Sequence, residues 1–339
     1  MRKSVDKIII TNLPSFYKIN LYNEINKSCK LLVIYTWDHS HGRNQDFFEG
    51  TMHFDHIHLN DGGILRILKL IKVISSYKYR ELILSGWDSF PLWIGAFISC
   101  KSKNSIVVES SLYESSITGL KGFVKQLFLS RVSKVYASGN SQKALVEELG
   151  FQNKIVITKG VGVFNYIPQP PYIERDKVSK FLYVGRLTAV KNLQFLIRVF
   201  GILPNCELTI VGFGELESEL KAMAPSNITF MGAVPNKYLF QVYQEHDVFI
   251  LPSYSEPWGL VVEEALNNGL PVIVSDRVGC ADEIIEDGIN GLIFKNNDTQ
   301  SLHDCIKKIQ NIEIYNKMRR SISELDFEEI ERMQAQCYL

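Results

Sequence analysis

Short apolar runs alternate with longer amphipathic stretches along almost the whole chain. Runs rich in Ile, Val, Leu and Phe, without polar alternation, stand at Lys7–Thr11, Lys30–Tyr35, Leu82–Ser85, Ser105–Glu109, Lys134–Ala137 and Ile155–Ile157. A second series follows at Lys180–Val184, Glu207–Val211, Ile228–Met231, Val248–Leu251, Pro271–Ser275 and Gly291–Phe294. A strand wet on one face alternates apolar with polar residues, whereas an unbroken apolar run belongs to a parallel strand buried on both faces. Helical patterns lie between them, at Ile64–Tyr77, Leu120–Val132, Gln142–Leu149, Leu193–Phe200, Gly259–Asn267 and Thr299–Ile309. Strand–helix alternation of this kind builds βαβ units and doubly wound parallel sheets.

The alternation pauses once, at Tyr166-Ile-Pro-Gln-Pro-Pro-Tyr172, where the prolines remove backbone donors and disfavour helix. The organisation expected is a Rossmann-like domain over residues 1–166, a linker over 167–178 and a second such domain over 179–314. Residues 315–339 read as a C-terminal helical segment that folds back across the linker.

Composition narrows the function. The 339 residues are 46 % hydrophobic and 22 % charged, which excludes disorder and collagen-like repeats. Lys plus Arg and Asp plus Glu each total 37, so the chain has no overall field to hold it on nucleic acid. The six cysteines show no C-x-x-C spacing and read as free thiols. No secretory h-region and no apolar stretch of about 18 residues appear. The sequence therefore reads as cytoplasmic.

The strongest candidate for chemistry is Ser253-Tyr-Ser-Glu256-Pro-Trp-Gly-Leu-Val-Val-Glu263-Glu264, directly after an apolar run. Pro257 and Gly259 open a helix, because the missing proline N–H costs little in a first turn. The loop delivers Glu256, with the N–H groups of Trp258, Gly259 and Leu260, at a helix mouth that favours anions and hydrogen-bond acceptors. Glu264 falls about five residues, or roughly 7–8 Å, into that helix. Two acids so spaced can grip the ends of an elongated ligand; a helix cap and a solvated residue explain the spacing equally well.

A second pattern, Leu182-Tyr-Val-Gly185-Arg186-Leu187-Thr-Ala-Val-Lys191, places a guanidinium fork and an ammonium around the turn after a strand. Both suit phosphate oxygens, although cations after strands are common. Val211-Gly-Phe-Gly214 has two of the three glycines of a dinucleotide fingerprint and no ribose-binding acid beyond it, so no NAD site is read there.

In order, Gly185-Arg186-Leu187 through Lys191, Val211–Gly214, Gly232-Ala-Val-Pro235, the Glu256/Glu264 pair, Pro271–Asp276 and Glu283-Ile-Ile-Glu-Asp-Gly-Ile-Asn-Gly291-Leu resemble the retaining glycosyltransferases of family 4. The resemblance covers about residues 178–312. It implies an α/β chain of the GT-B fold, two facing Rossmann-like domains with parallel sheets and a cleft between them. It implies that Arg186 and Lys191 hold the donor diphosphate, while Glu256 binds hydroxyls of the transferred sugar. By the same resemblance, Gly185 and Gly214 approach the nucleotide and the Ala233–Val234 backbone edges the base. Trp258, Gly259 and Leu260 offer N–H groups to sugar or phosphate, and Glu264 accepts from the ribose. A glycosyl–diphosphate bond breaks through an oxocarbenium-like state whose leaving group needs cations. Arg186 and Lys191 supply them and no D-x-D tripeptide is present, so neither metal nor cofactor is expected.

The first half departs from the family. Lys18 lies in a loop without the usual paired glycines, and Glu109 stands where many relatives carry histidine, so Glu109 and Ser110 become candidate acceptor contacts. His39 and His41, in Trp37-Asp-His-Ser-His-Gly, lack a metal-binding context and read as a loop exposed to substrate. Residues 64–80 and 120–134 mix apolar residues with Arg66, Lys69, Lys72, Lys121 and Lys125, a pattern that favours an anionic membrane surface and equally fits ordinary helices with one wet face.

The function expected is transfer of a hexose or N-acetylhexosamine from a nucleotide-diphosphate sugar, UDP-linked first, to a polyprenyl-diphosphate-linked saccharide. The setting is O-antigen or surface-polysaccharide assembly at the inner face of the cell membrane, with no nucleic-acid partner. GDP-mannose is the second donor. A nucleotide-sugar epimerase on the same fold, or an inactive partner subunit, are the rival readings.

Overall fold

The computed structural model describes residues 3–37 and 45–339. The chain divides into two compact units, one of Met1–Asn165 with Glu328–Leu339, the other of Tyr166–Phe327.

The first unit is built on seven strands, β1 (Lys7–Thr11), β2 (Leu31–Tyr35), β3 (Asp55–His58), β4 (Glu81–Leu84), β5 (Asn104–Val108), β6 (Lys134–Ala137) and β7 (Lys154–Ile157). All pair in parallel, in the order β3-β2-β1-β4-β5-β6-β7. Side chains on a strand alternate between faces, and the unpatterned apolar runs fill two cores accordingly. Ile8, Ile10, Leu82, Leu84, Ile106 and Val135 pack on one face under helices Gly63–Ser76, Phe90–Ile98, Gly119–Leu129 and Asn140–Glu148. Ile9, Val33, Tyr35, Ile83 and Tyr136 pack on the other with Ile19, Tyr22 and Ile25 of helix Phe16–Asn26. The end of the chain closes that second core, with Tyr338 stacked on Tyr136 at a centroid distance of 4.5 Å.

The second unit has six parallel strands, β8 (Lys180–Val184), β9 (Glu207–Val211), β10 (Ile228–Gly232), β11 (Val248–Leu251), β12 (Val272–Ser275) and β13 (Gly291–Phe294), ordered β10-β9-β8-β11-β12-β13. Its helices show the expected period, as in Leu193, Leu196, Ile197 and Phe200, all buried on one side of Leu193–Gly201. In both sheets the strand order reverses beside the first strand, and the crevice outside the carboxyl ends at such a reversal is where open α/β sheets bind ligands. In the second unit that point lies between β8 and β11.

The proline-rich stretch 167–178, expected as a linker, runs along the second unit. Asn267 Nδ2 donates to the Ile167 carbonyl at 2.9 Å, and Arg319 Nη1 to that of Ile173 at 2.7 Å. Residues 315–339 form parts of two helices, Ile312–Ser323 and Phe327–Gln336; the first belongs to the second unit, where Tyr315 donates to the Asp247 carbonyl at 2.9 Å.

Candidate active site

The loops after β8 and β11 carry Arg186, Lys191 and Glu256, and the strand reversal brings Lys191 and Glu256 together. β8 ends at Gly185, whose φ of 157° turns the chain beneath Arg186. A Cβ at Gly185 would meet the Tyr183 hydroxyl at 2.7 Å, and that hydroxyl donates to the Arg186 carbonyl at 3.0 Å. Arg186 is exposed and forms no ion pair among the described residues.

Lys191 closes a 3-10 turn, Ala189–Lys191, and Tyr254 N–H donates to the Val190 carbonyl at 2.9 Å, tying that turn to the loop after β11. Across the tie, Lys191 Nζ forms an ion pair with Glu256 Oε2; the side chains are only 14 % and 13 % exposed. Ser253 Oγ donates to the same carboxylate oxygen at 3.4 Å, and the Glu256 N–H to the Arg277 carbonyl at 3.0 Å. The Tyr183 hydroxyl titrates well above its usual range, first from burial and next from the Glu256 charge, with Arg186 opposing. The Tyr183 hydroxyl itself stands at the end of β8, against the Arg186 backbone.

Helix Leu260–Asn267 begins at Gly259, with φ of 99°; a Cβ there would press on Val278 at 3.1 Å and Glu256 at 3.3 Å, so only glycine fits. The N–H groups of Trp258, Gly259 and Leu260 meet no acceptor among the described residues. The Trp258 ring is buried and donates through Nε1 to Glu263 Oε2 at 3.1 Å, so Trp258 offers a ligand its backbone alone. Glu264 accepts from the Tyr243 hydroxyl at 3.1 Å. Burial raises its carboxyl pKa to about 7, against the Tyr243 hydrogen bond, which lowers it.

Gly214 meets a demand within the chain itself. A Cβ there would collide with the Leu187 carbonyl, and one at Gly212 with the Gly185 carbonyl. Both glycines therefore admit the neighbouring 185–187 loop, and the need for glycine arises within the chain. Val234 lies half-buried in the loop after β10.

In the first unit, Lys18 and Glu109 meet at the carboxyl ends of β1 and β5 as an ion pair. Burial pulls the Lys18 ammonium down, but the Glu109 charge, with several tyrosines, outweighs it and holds the pKa above its usual value. Lys18 is thus a buried partner of Glu109. Gln142 Nε2 fixes the Glu109 carbonyl at 3.1 Å, and Ser110 is half-exposed beside it. His39 and His41 lie outside the described residues. Sequence reasoning missed Tyr183, Ser253, Tyr254 and Tyr243, which position the charged groups; none sits in a spacing that announces it. No group of three His, Cys, Asp or Glu side chains that could hold a metal occurs among the described residues.

Residues 169–325 match the family model described as glycosyl transferases group 1. The sulfoquinovosyl transferase SQD2 of Arabidopsis thaliana is 34 % identical over 154 residues, 44 % of this chain and 30 % of that protein. The O-antigen biosynthesis glycosyltransferase WbnH of Escherichia coli is 29 % identical over 307 residues, 86 % of this chain and 85 % of its own. Among solved structures, Anabaena Alr3699/HepE in complex with UDP and glucose superposes with a TM-score of 0.71 at 17 % identity, covering 98 % of both chains. That likeness extends to the fold alone.

Proposed function

We propose, from the premise that the chain is a glycosyltransferase with a group 1 domain over residues 169–325, that it is a retaining enzyme acting on a UDP-hexose or UDP-N-acetylhexosamine. The acceptor is a polyprenyl-diphosphate-linked saccharide of O-antigen or related polysaccharide assembly, and the new bond is α-linked when the donor is. The UDP complex of HepE and the O-antigen role in the name of WbnH support this reading.

The observation that carries it is the Lys191–Glu256 ion pair beside an unpaired Arg186 at the strand reversal. Without donor, Lys191 and Glu256 neutralise each other in a nearly dry site, where an isolated charge is costly. A donor exchanges the pair: its diphosphate takes Lys191 and Arg186, and its sugar hydroxyls donate to Glu256. As the glycosyl–oxygen bond breaks, negative charge grows on the leaving phosphate, where the two cations are worth most. The N–H groups of Gly259 and Leu260 support the same oxygens, and Glu264 accepts from the ribose. Glu109 with Lys18, and Ser110, are assigned to the acceptor.

The acceptor is a lipid, and the surface of the first unit suits one. Ile64, Leu65 and Leu68 of helix Gly63–Ser76, and Leu120, Phe123, Val124 and Leu127 of helix Gly119–Leu129, are exposed among Arg66, Lys69, Lys121 and Lys125. No helix among the described residues is long and apolar enough to cross a membrane, so the contact proposed is peripheral. The test is a panel of radiolabelled UDP- and GDP-sugars with a lipid-diphosphate saccharide, the product anomer read by NMR. Retained anomeric configuration from a UDP donor supports the reading. An epimerised nucleotide sugar formed without acceptor favours the epimerase, and a GDP-mannose preference replaces the donor.

A further inference from the structure

Lys7, Glu81 and Lys134 open β1, β4 and β6, Ser105 is the second residue of β5, and the parallel register sets Lys7 opposite Glu81 and Ser105 opposite Lys134. Their side chains meet at the amino edge of the first sheet, the edge opposite Lys18 and Glu109. Glu81 is saturated there: it accepts from Lys7 at 2.5 Å, Lys134 at 2.7 Å, Ser105 at 2.5 Å and Tyr136 at 3.0 Å. Burial pushes its carboxyl up, yet the hydrogen bonds from Lys134, Lys7 and Ser105 hold it down at about 2.

One carboxylate therefore serves two ammonium groups, of which Lys134 also donates to the Tyr136 hydroxyl at 2.9 Å. Lys7, whose side chain is 9 % exposed, gives one of its three N–H donors to Glu81 and finds no other acceptor among the described residues. These groups wall a cavity of about 540 Å³ with Arg80, Lys103 and Ser133. Its charged side chains are Lys7, Arg80, Lys103 and Lys134 against Asp6 and Glu81, four cations to two acids, with Arg80 paired to Asp6 at 3.6 Å.

We propose that this cavity is a second binding site, for a small molecule bearing a phosphate or pyrophosphate group whose oxygens accept from Lys7 and Lys134 under the cover of Arg80 and Lys103. The ammonium groups, buried at Lys7 and half-buried at Lys134, supply charge-assisted hydrogen bonds, and the remaining volume accommodates an organic portion. The site is separate from Arg186 and Lys191, which belong to the other unit.

Cys29 lines the cavity and serves as a local reporter. Inorganic pyrophosphate is titrated onto the full chain, and iodoacetamide modification of Cys29 is followed by peptide mass spectrometry against Cys305 of the second unit. Saturable protection of Cys29 alone is expected. Lys134→Met should weaken it about tenfold or more, as loss of one charge-assisted bond implies. Should that variant fail to fold, Arg80→Ala with Lys103→Ala, both exposed, must raise the half-protecting concentration severalfold. A Cys29 rate indifferent to pyrophosphate, or protection undiminished in the variants, overturns the proposal. Activity with sugar donors does not enter the readout, so the site and the transferase reading fail separately.

Discussion

Lys191 and Glu256, 65 residues apart in the chain, form an ion pair across the point where the strand order of the second sheet reverses. The pair couples the two chemistries of the proposed reaction, phosphate binding and sugar binding, before any ligand arrives. Because both side chains are largely buried, removing one strands the other, at a cost of about 3 kcal/mol. Lys191→Met and Glu256→Gln should each lower the melting temperature, and the double variant should lose less than the sum of the two. Strictly additive losses in thermal unfolding would show that the pair is not coupled.

In the proposed reaction, Glu264 makes donor binding depend on pH. Its folded pKa of about 7 lies above the ordinary carboxyl value, so the folded protein keeps this proton where the unfolded chain has lost it. Stability is untouched below the ordinary carboxyl range, declines as pH rises from there to about 7, and is level beyond. The ionised group accepts from the ribose hydroxyls through both oxygens and with charge assistance, which the protonated acid lacks. Donor KM should therefore fall as pH climbs through 7 and flatten above it, and Glu264→Gln should show a raised, pH-independent KM. A wild-type KM flat from pH 6 to 8 contradicts this assignment.

Gly214→Ala tests the account of the glycine turn. The added methyl meets the Leu187 carbonyl, a backbone atom that cannot swing aside, so the 185–187 loop must move. Overpacking of this kind costs about 1–3 kcal/mol, and activity should drop with it because Arg186 rides on that loop. A variant with wild-type melting temperature and turnover would show the contact to be harmless.

The proposed membrane attachment is tested by co-sedimentation with anionic vesicles. Leu120, Phe123 and Leu127 are exposed, so changing all three to Ser should leave the fold intact while cutting vesicle binding at least severalfold. Equal sedimentation of the variant, or no sedimentation of the wild type, removes helix Gly119–Leu129 from the proposed contact.

Most of the strand framework was legible because a strand buried on both faces cannot help being apolar throughout. β3 was not: Asp55-His-Ile-His58 is an edge strand with no buried residue, so burial writes no signature on it. Helix Phe90–Ile98 was missed for the opposite reason, since its sequence is apolar nearly all round and carries little helical period. Arg186, Lys191, Glu256 and Glu264 stood out through spacing and resemblance, but their pairings did not. Glu109 takes Lys18, 91 positions away, and nothing local to either residue encodes that meeting. The contact of Gly214 with the Leu187 carbonyl was equally silent in the sequence, because a glycine-rich turn looks alike whether it admits a ligand or the neighbouring loop.

Arg186 offers the cleanest test of charge stabilisation, because it is exposed and unpaired and its loss strands no buried partner. The decisive measurement is kcat for sugar transfer from a saturating UDP-sugar to a lipid-diphosphate acceptor, wild type against Arg186→Ala, with melting temperatures taken alongside. Loss of one preorganised donor to the departing diphosphate predicts a fall of about 10²–10³ with an unchanged melting temperature. Equal kcat in the two proteins would contradict the account.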